Sequence, residues 1–234
     1  MLQWEFIVSW FRIFILIICT FITLILPTCS IYFMSIVLLY VMGVHKRSVQ
    51  GKINLYNALQ TKKPFIVVFN HPTFYEPLVL YNILNIPLRF VSKHSNLKGA
   101  ESILKQYKLI YVNETKGTIK QILEAIPNST IFGTVAIAPA GGSGFEKDPT
   151  FLPEFKTGAF VPMIPVLPVL IRYSHHEIWE KGVPVSSIFW KRISGPRLYY
   201  DVSILPMIYP PDNQSPIDFS KTTHQIMQQE LIKL

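Results

Sequence analysis

The stretch Phe65-Ile66-Val67-Val68-Phe69-Asn70-His71-Pro72-Thr73-Phe74-Tyr75-Glu76-Pro77 decides the fold. Its first five residues are a short continuous apolar run bounded by Pro64 and Asn70. Such a run predicts a strand buried on both faces, as in a parallel sheet. Pro72 suits the first turn of a helix, and a helix-like stretch follows around 74–84. In α/β sheets ligands gather at the carboxyl ends of the strands, and His71 stands at such an end. Glu76 follows about one turn later, within reach of the imidazole. A carboxylate on one ring nitrogen selects the tautomer and leaves the other nitrogen able to take a proton from an alcohol. Spacing alone favours the plainer reading, a histidine capping a helix with a glutamate near the helix dipole.

Outward from this stretch the pattern repeats. Leu88 to Val91, Leu109 to Val112, Thr134 to Ala138 and Pro165 to Ile171 read as further strands. Helical signals lie between them at 99–106 and at 118–126, where Ile119, Ile122, Leu123 and Ile126 share one face. A last strand at 198–204, a Pro-rich loop at 206–216 and a helix at 219–233 complete the reading. Strands alternating with helices predict an α/β domain with a largely parallel sheet flanked by helices.

The N-terminal part differs. The chain has 234 residues, with 22 Lys and Arg against 14 Asp and Glu, yet only Glu5 and Arg12 of these fall in 1–44. From Ile13 to Val44 no charged residue occurs. This is too long for one membrane crossing of about 20 residues and too short for two. Pro27 near its middle invites a break. The expectation is an apolar two-helix membrane hairpin, roughly 4–26 and 29–44. Arg12 before it and His45, Lys46 and Arg47 after it put both ends on the cytoplasmic face. Residues 1–45 are therefore expected to anchor an α/β domain at 46–234. The apolar run is too long for a cleaved signal peptide, and a single tilted span with a lumenal domain is the alternative to the hairpin.

The net charge of +8 favours anionic partners. The basic residues are scattered rather than striped, and no nucleic-acid partner is expected. Two cysteines exclude a disulfide framework and multi-Cys zinc modules. The six histidines show no ligand spacing, and no metal is expected.

Two further segments carry chemistry. Pro139-Ala140-Gly141-Gly142-Ser143-Gly144-Phe145 follows the fourth strand. Its glycines permit a tight turn and let backbone N–H groups approach a phosphate or oxyanion. It is neither a nucleophile elbow nor a P-loop, which counts against a membrane-anchored hydrolase. The other segment, Phe155-Lys156-Thr157-Gly158-Ala159-Phe160, brings a positive charge, and Val161-Pro162-Met163-Ile164-Pro165-Val166 follows it.

Taken together, these segments resemble the lysophospholipid acyltransferase superfamily, which includes the 1-acylglycerol-3-phosphate acyltransferases. Four blocks occur in order. His71 and Glu76 match His-x4-Asp, and Tyr107 to Asn113 loosely matches Gly-x-x-Phe-Ile-x-Arg. Ala138 to Ser143 matches Phe-Pro-Glu-Gly-Thr-Arg, and Val161 to Val166 matches the apolar Val-Pro-Ile-x-Pro-Val block. Glu76 stands for Asp, Asn113 for Arg, Ala140 for Glu and Ser143 for Arg.

The resemblance implies transfer of a fatty acyl group from acyl-CoA, as co-substrate and with no other cofactor, to a lipid hydroxyl. It implies His71 as general base and Glu76 as its orienting carboxylate, working without an acyl-enzyme. Asn113, Pro139, Gly141, Gly142, Ser143 and Lys156 would then contact substrate, and membrane lipids would be the partners. The replaced Arg and Glu positions leave the acceptor's phosphate without its usual contacts. Lys93, Lys116, Lys156 and Arg172 are the candidate replacements. A catalytically inactive member that binds lipid is the alternative the same departures suggest. Acceptor, chain length, organelle and oligomeric state leave no mark on the sequence.

Overall fold

The computed structural model describes residues 10–11, 13–15, 17–18, 30–93, 109–112, 118–127, 133–141, 148, 150–175 and 185–234. In chain order the elements are α1 (Ser30–Val41), β1 (Val44–Gln50), α2 (Lys52–Gln60), β2 (Ile66–Phe69), α3 (Glu76–Leu84), β3 (Leu88–Lys93) and β4 (Ile110–Val112). Then come α4 (Thr118–Ala125), β5 (Thr134–Ile137), a 3-10 turn (Thr157–Ala159), β6 (Val166–Tyr173), α5 (Val185–Ser194), β7 (Leu198–Ile204) and α6 (Pro216–Lys233).

The strands form one seven-stranded sheet in the order β1-β7-β6-β2-β5-β3-β4. Every neighbouring pair is parallel except β6 with β7. The five strands from β6 to β4 thus point one way and β1 and β7 point the other.

Side chains alternate across the pleat, and the core divides accordingly. Val67 and Phe69 of β2 join α1, α2 and α3 on one face of the sheet, through Leu39, Leu55 and Val79. Ile66 and Val68 join α4, the 3-10 turn and α6 on the other, through Ile122, Ala159 and Phe219. All four residues of β2 are buried, as a continuous apolar run requires when helices cover both faces. Pro168 is tolerated in the middle of β6 because β7 pairs with β6 only from Val169 onward. The carbonyl of Pro168 still accepts from Leu205 N–H at 2.9 Å.

Several sequence expectations need correction. His45-Lys46-Arg47, read as the basic flank of a membrane helix, belongs to β1, an edge strand paired in parallel with β7. The charged residues are compatible with a strand because an edge exposes one side to water. β7 runs antiparallel to β6, and α2 and α5 had no counterpart in the sequence reading. The terminal helix starts three residues early, at Pro216. Ser215 and Asp218 form a reciprocal capping box there, with Asp218 N–H donating to Ser215 Oγ at 3.2 Å. The helix expected at 99–106 lies outside the described residues.

Of the expected apolar hairpin, residues 10–11, 13–15 and 17–18 are helical, and the second helix appears as α1. Among the described residues no helix is long and apolar enough to cross a membrane. Twelve residues of α-helix span about 18 Å, short of the hydrocarbon core. One side of α1 packs on α3, burying Met34 and Leu39 and setting Tyr32 edge-on to Tyr81 at 5.9 Å. The other side leaves Phe33, Ile36 and Tyr40 exposed.

Two local constraints hold the β1–β7 edge. Gly51, between β1 and α2, has φ +72°, and a Cβ there would lie 1.9 Å from the Ile204 carbonyl oxygen. That carbonyl already accepts from Asn54 Nδ2 at 2.7 Å. Gly51→Ala should therefore lower the unfolding free energy by about 2–3 kcal/mol, read from urea denaturation. Across the same edge Arg47 Nε donates to Asp201 Oδ1 at 3.0 Å, Arg47 Nη2 meets Oδ2, and Ser48 Oγ donates to Oδ1 at 2.6 Å. The Arg47 hydrogen bond, with help from Ser48, holds the Asp201 carboxyl below its ordinary value. A depressed folded-state value means the stabilisation is present above about pH 4 and is lost as pH falls below it. Asp201→Asn should flatten that acid-side loss in a series of thermal midpoints from pH 3 to 6.

Candidate active site

β2 ends at Phe69, and the next residue extends the sheet with its side chain. Asn70 Nδ2 donates to the Ile171 carbonyl at 2.8 Å, and Ile171 N–H donates to Asn70 Oδ1 at 2.7 Å. The amide of a buried asparagine thus copies a backbone pairing and ties the end of β2 to β6. His71 emerges next, its ring edge-on to Phe69 at 6.0 Å.

The chain then turns through Pro72 and Thr73 into α3, whose first residue is Glu76. Tyr75 N–H donates to Thr73 Oγ1 at 3.1 Å and sets the turn. Glu76 is completely buried. A buried carboxylate is tolerated only when hydrogen-bonded, and this one is satisfied on both oxygens. Oε1 accepts from Thr73 N–H at 3.1 Å, Thr73 Oγ1 at 2.8 Å and Tyr173 Oη at 2.9 Å. Oε2 meets Nδ1 of His71. The N-terminus of α3 adds its favourable dipole.

With Nδ1 committed to Glu76, the remaining ring nitrogen is Nε2. The His71 side chain is 24% exposed while that of Glu76 is sealed. The ring thus has one nitrogen on a fixed, buried carboxylate while the side chain as a whole remains partly accessible, an arrangement suited to moving a proton. Burial, and secondarily the Glu76 carboxylate, push the Tyr173 phenol well above its ordinary value. Tyr173 therefore stays protonated and donates throughout the physiological range.

The glycine segment follows the neighbouring strand. β5 lies beside β2 in parallel, with Val68 opposite Ile137, so the residues after each strand share one edge of the sheet. Pro139 accepts from Lys156 N–H at 2.9 Å, which joins the loop to the 3-10 turn. Gly141 has φ +74°, and its own N–H donates to Ala138 at 3.0 Å. That N–H closes the turn, whereas the sequence expectation assigned N–H groups around Gly141 and Gly142 to an oxyanion. What glycine supplies here is space: a Cβ would lie 2.7 Å from Lys156 Nζ. The Lys156 side chain is laid across Gly141.

The structure thus brings together His71 and Glu76 and, at the adjacent strand end, Pro139, Gly141 and Lys156. Asn113, Gly142, Ser143 and Lys116 lie outside the described residues. Lys93 ends β3. Arg172 sits opposite Asp201 in the β6–β7 pairing and helps to depress that carboxyl. Asn70, Thr73 and Tyr173 were missed by the sequence reading. Thr73, three residues before Glu76, carried a detectable local signal, whereas Tyr173 is 97 residues from Glu76 and carried none.

The sequence model of the Acyltransferase family matches residues 46–172, more than half of the chain, and the match includes His71, Glu76 and Lys156. The chain belongs to the acyltransferase family. It is 29% identical over 216 residues to lysophospholipid acyltransferase LPCAT4 of Xenopus tropicalis, covering 87% of this chain and 40% of that protein. Against lysophospholipid acyltransferase LPEAT2 of Arabidopsis thaliana the identity is 28% over 171 residues, covering 69% of this chain and 31% of the relative. The chain therefore spans well under half the length of these curated relatives. Among solved structures, the 1-acyl-sn-glycerophosphate acyltransferase PlsC from Thermotoga maritima matches with a TM-score of 0.60 at 16% identity. That match covers 98% of this chain and 95% of PlsC. The α/β fold with its mostly parallel sheet is thus the fold of PlsC.

Asn70→Ala would strip a buried N–H and a buried carbonyl of β6 of their partners. A loss of about 2–4 kcal/mol in unfolding free energy is expected, measured by urea denaturation.

Proposed function

We propose that this acyltransferase moves a fatty acyl group from acyl-CoA to the free hydroxyl of a lysophospholipid or related glycerolipid, with His71 as general base. The observation that carries the reading is the His71–Glu76 pair, with Nδ1 held by a buried carboxylate and the imidazole side chain partly exposed. Family membership and the lysophospholipid acyltransferases among the relatives support the reaction class.

As the lipid hydroxyl attacks the thioester carbonyl, Nε2 of His71 takes its proton. Glu76 stabilises the imidazolium. The tetrahedral intermediate collapses with loss of the CoA thiolate, and the imidazolium returns the proton to that sulfur. Ester and free thiol are the products, and no covalent acyl-enzyme forms. Lys156, laid over Gly141 at the neighbouring strand end, offers a cation for the phosphates of CoA or of a lipid headgroup. The uncharged stretch from Ile13 to Val44 and the exposed Phe33, Ile36 and Tyr40 of α1 would hold the domain against the membrane from which both apolar substrates are drawn.

His71→Ala should abolish transfer of labelled acyl groups from acyl-CoA to lysophospholipid in mixed vesicles while the protein remains folded by circular dichroism. Glu76→Gln should lower the rate less, by about 10²-fold. Full activity in His71→Ala would rule out the base assignment.

A further inference from the structure

The Glu76 carboxylate has two oxygens with different tasks. Oε2 serves His71, and Oε1 is held by Thr73 from the turn and by Tyr173 from β6. The Thr73 bonds are local and travel with the turn itself. The Tyr173 bond is the one that refers the carboxylate to the sheet. It crosses from the end of β6 to the start of α3, beside the point where Asn70 fastens β2 to Ile171.

We infer that Tyr173 is a positioning residue of the active site: its hydroxyl holds Oε1 of Glu76 so that Oε2 stays on Nδ1 of His71. The inference rests on the assignment of His71 as base. Tyr173 itself is almost wholly buried, within the aromatic cluster that includes Tyr75 at 6.0 Å and Tyr200 at 6.4 Å. Its hydroxyl also lies within hydrogen-bond reach of the Thr73 side chain, itself a donor to Oε1, so Tyr173 acts through the Glu76 carboxylate and its holder. A glutamate side chain has one more rotatable bond than aspartate and more freedom to lose when it is fixed. A third donor from a rigid strand removes that freedom. The phenol also shares the carboxylate's charge, so it moderates how tightly Glu76 holds a proton on His71.

The test is Tyr173→Phe in the full chain, which deletes the hydroxyl and keeps the ring. Acyl transfer should fall about tenfold at pH 7. The acidic limb of the rate profile should move up by about half a pH unit, because a carboxylate with fewer donors holds the imidazolium proton more tightly. In a Glu76→Gln background the same substitution should cost less than twofold, because the two residues act as one unit. Tyr200→Phe serves as the structural control. It removes another buried hydroxyl from the same cluster, one that accepts from Asn82 at 3.1 Å and does not touch Glu76, and it should leave the limb in place. An unmoved limb in Tyr173→Phe, or a loss that multiplies undiminished in the Glu76→Gln background, overturns the inference. If His71→Ala is inactive in the same assay, such a result condemns only the role of Tyr173. If His71→Ala is active, the base assignment itself has failed.

Discussion

A carboxyl group sealed from water must be surrounded by hydrogen-bond partners. Glu76 is in that position, and the surrounding structure answers its demand. The turn through Thr73 supplies two donors, β6 supplies one and His71 supplies the last. The Tyr173 donor is delivered only while β2 and β6 are locked in register at their carboxyl ends. Asn70 provides that lock by pairing with both backbone groups of Ile171. The chemistry and the packing of this region are therefore one problem, solved by one set of hydrogen bonds.

Sheet topology explains why the remaining candidate residues share an edge. Because β6, β2, β5, β3 and β4 are mutually parallel, all five carboxyl ends open on the same side. The β5 exit places Gly141 beside the β2 exit, and the tie from Lys156 N–H to Pro139 brings the cation with it. Gly141 acts by lacking a side chain, its N–H being spent on the turn. The opposed pair β1 and β7 closes the far side of the sheet, with Arg47 and Asp201 binding the two strands across their outer edge.

Legibility followed the range of the forces involved. β2, β6 and α3 could be read because a doubly buried strand demands an unbroken apolar run. β1 was misread because Lys46 and Arg47 on an edge strand look the same in sequence as the flank of a membrane helix. The orientation of β7 was illegible because parallel and antiparallel strands bury similar residues. The capping box at Ser215 and Asp218 was legible in principle, being local, and it explains the early start of α6.

For the site, spacing alone brought His71 and Glu76 to notice, since they sit five residues apart around a strand-to-helix turn. Spacing could not say whether they touch. Contact depends on which way a carboxylate is turned, and that is decided by Thr73 in the turn together with a partner drawn from elsewhere in the chain. Tyr173 lies 97 residues from Glu76, and Asn70 meets Ile171 across 101. Hydrogen bonds of such range leave no periodicity and no composition bias behind them. The candidate pair was thus legible in the amino-acid order, whereas the set of donors around its carboxylate was completed only when β6 was laid alongside β2.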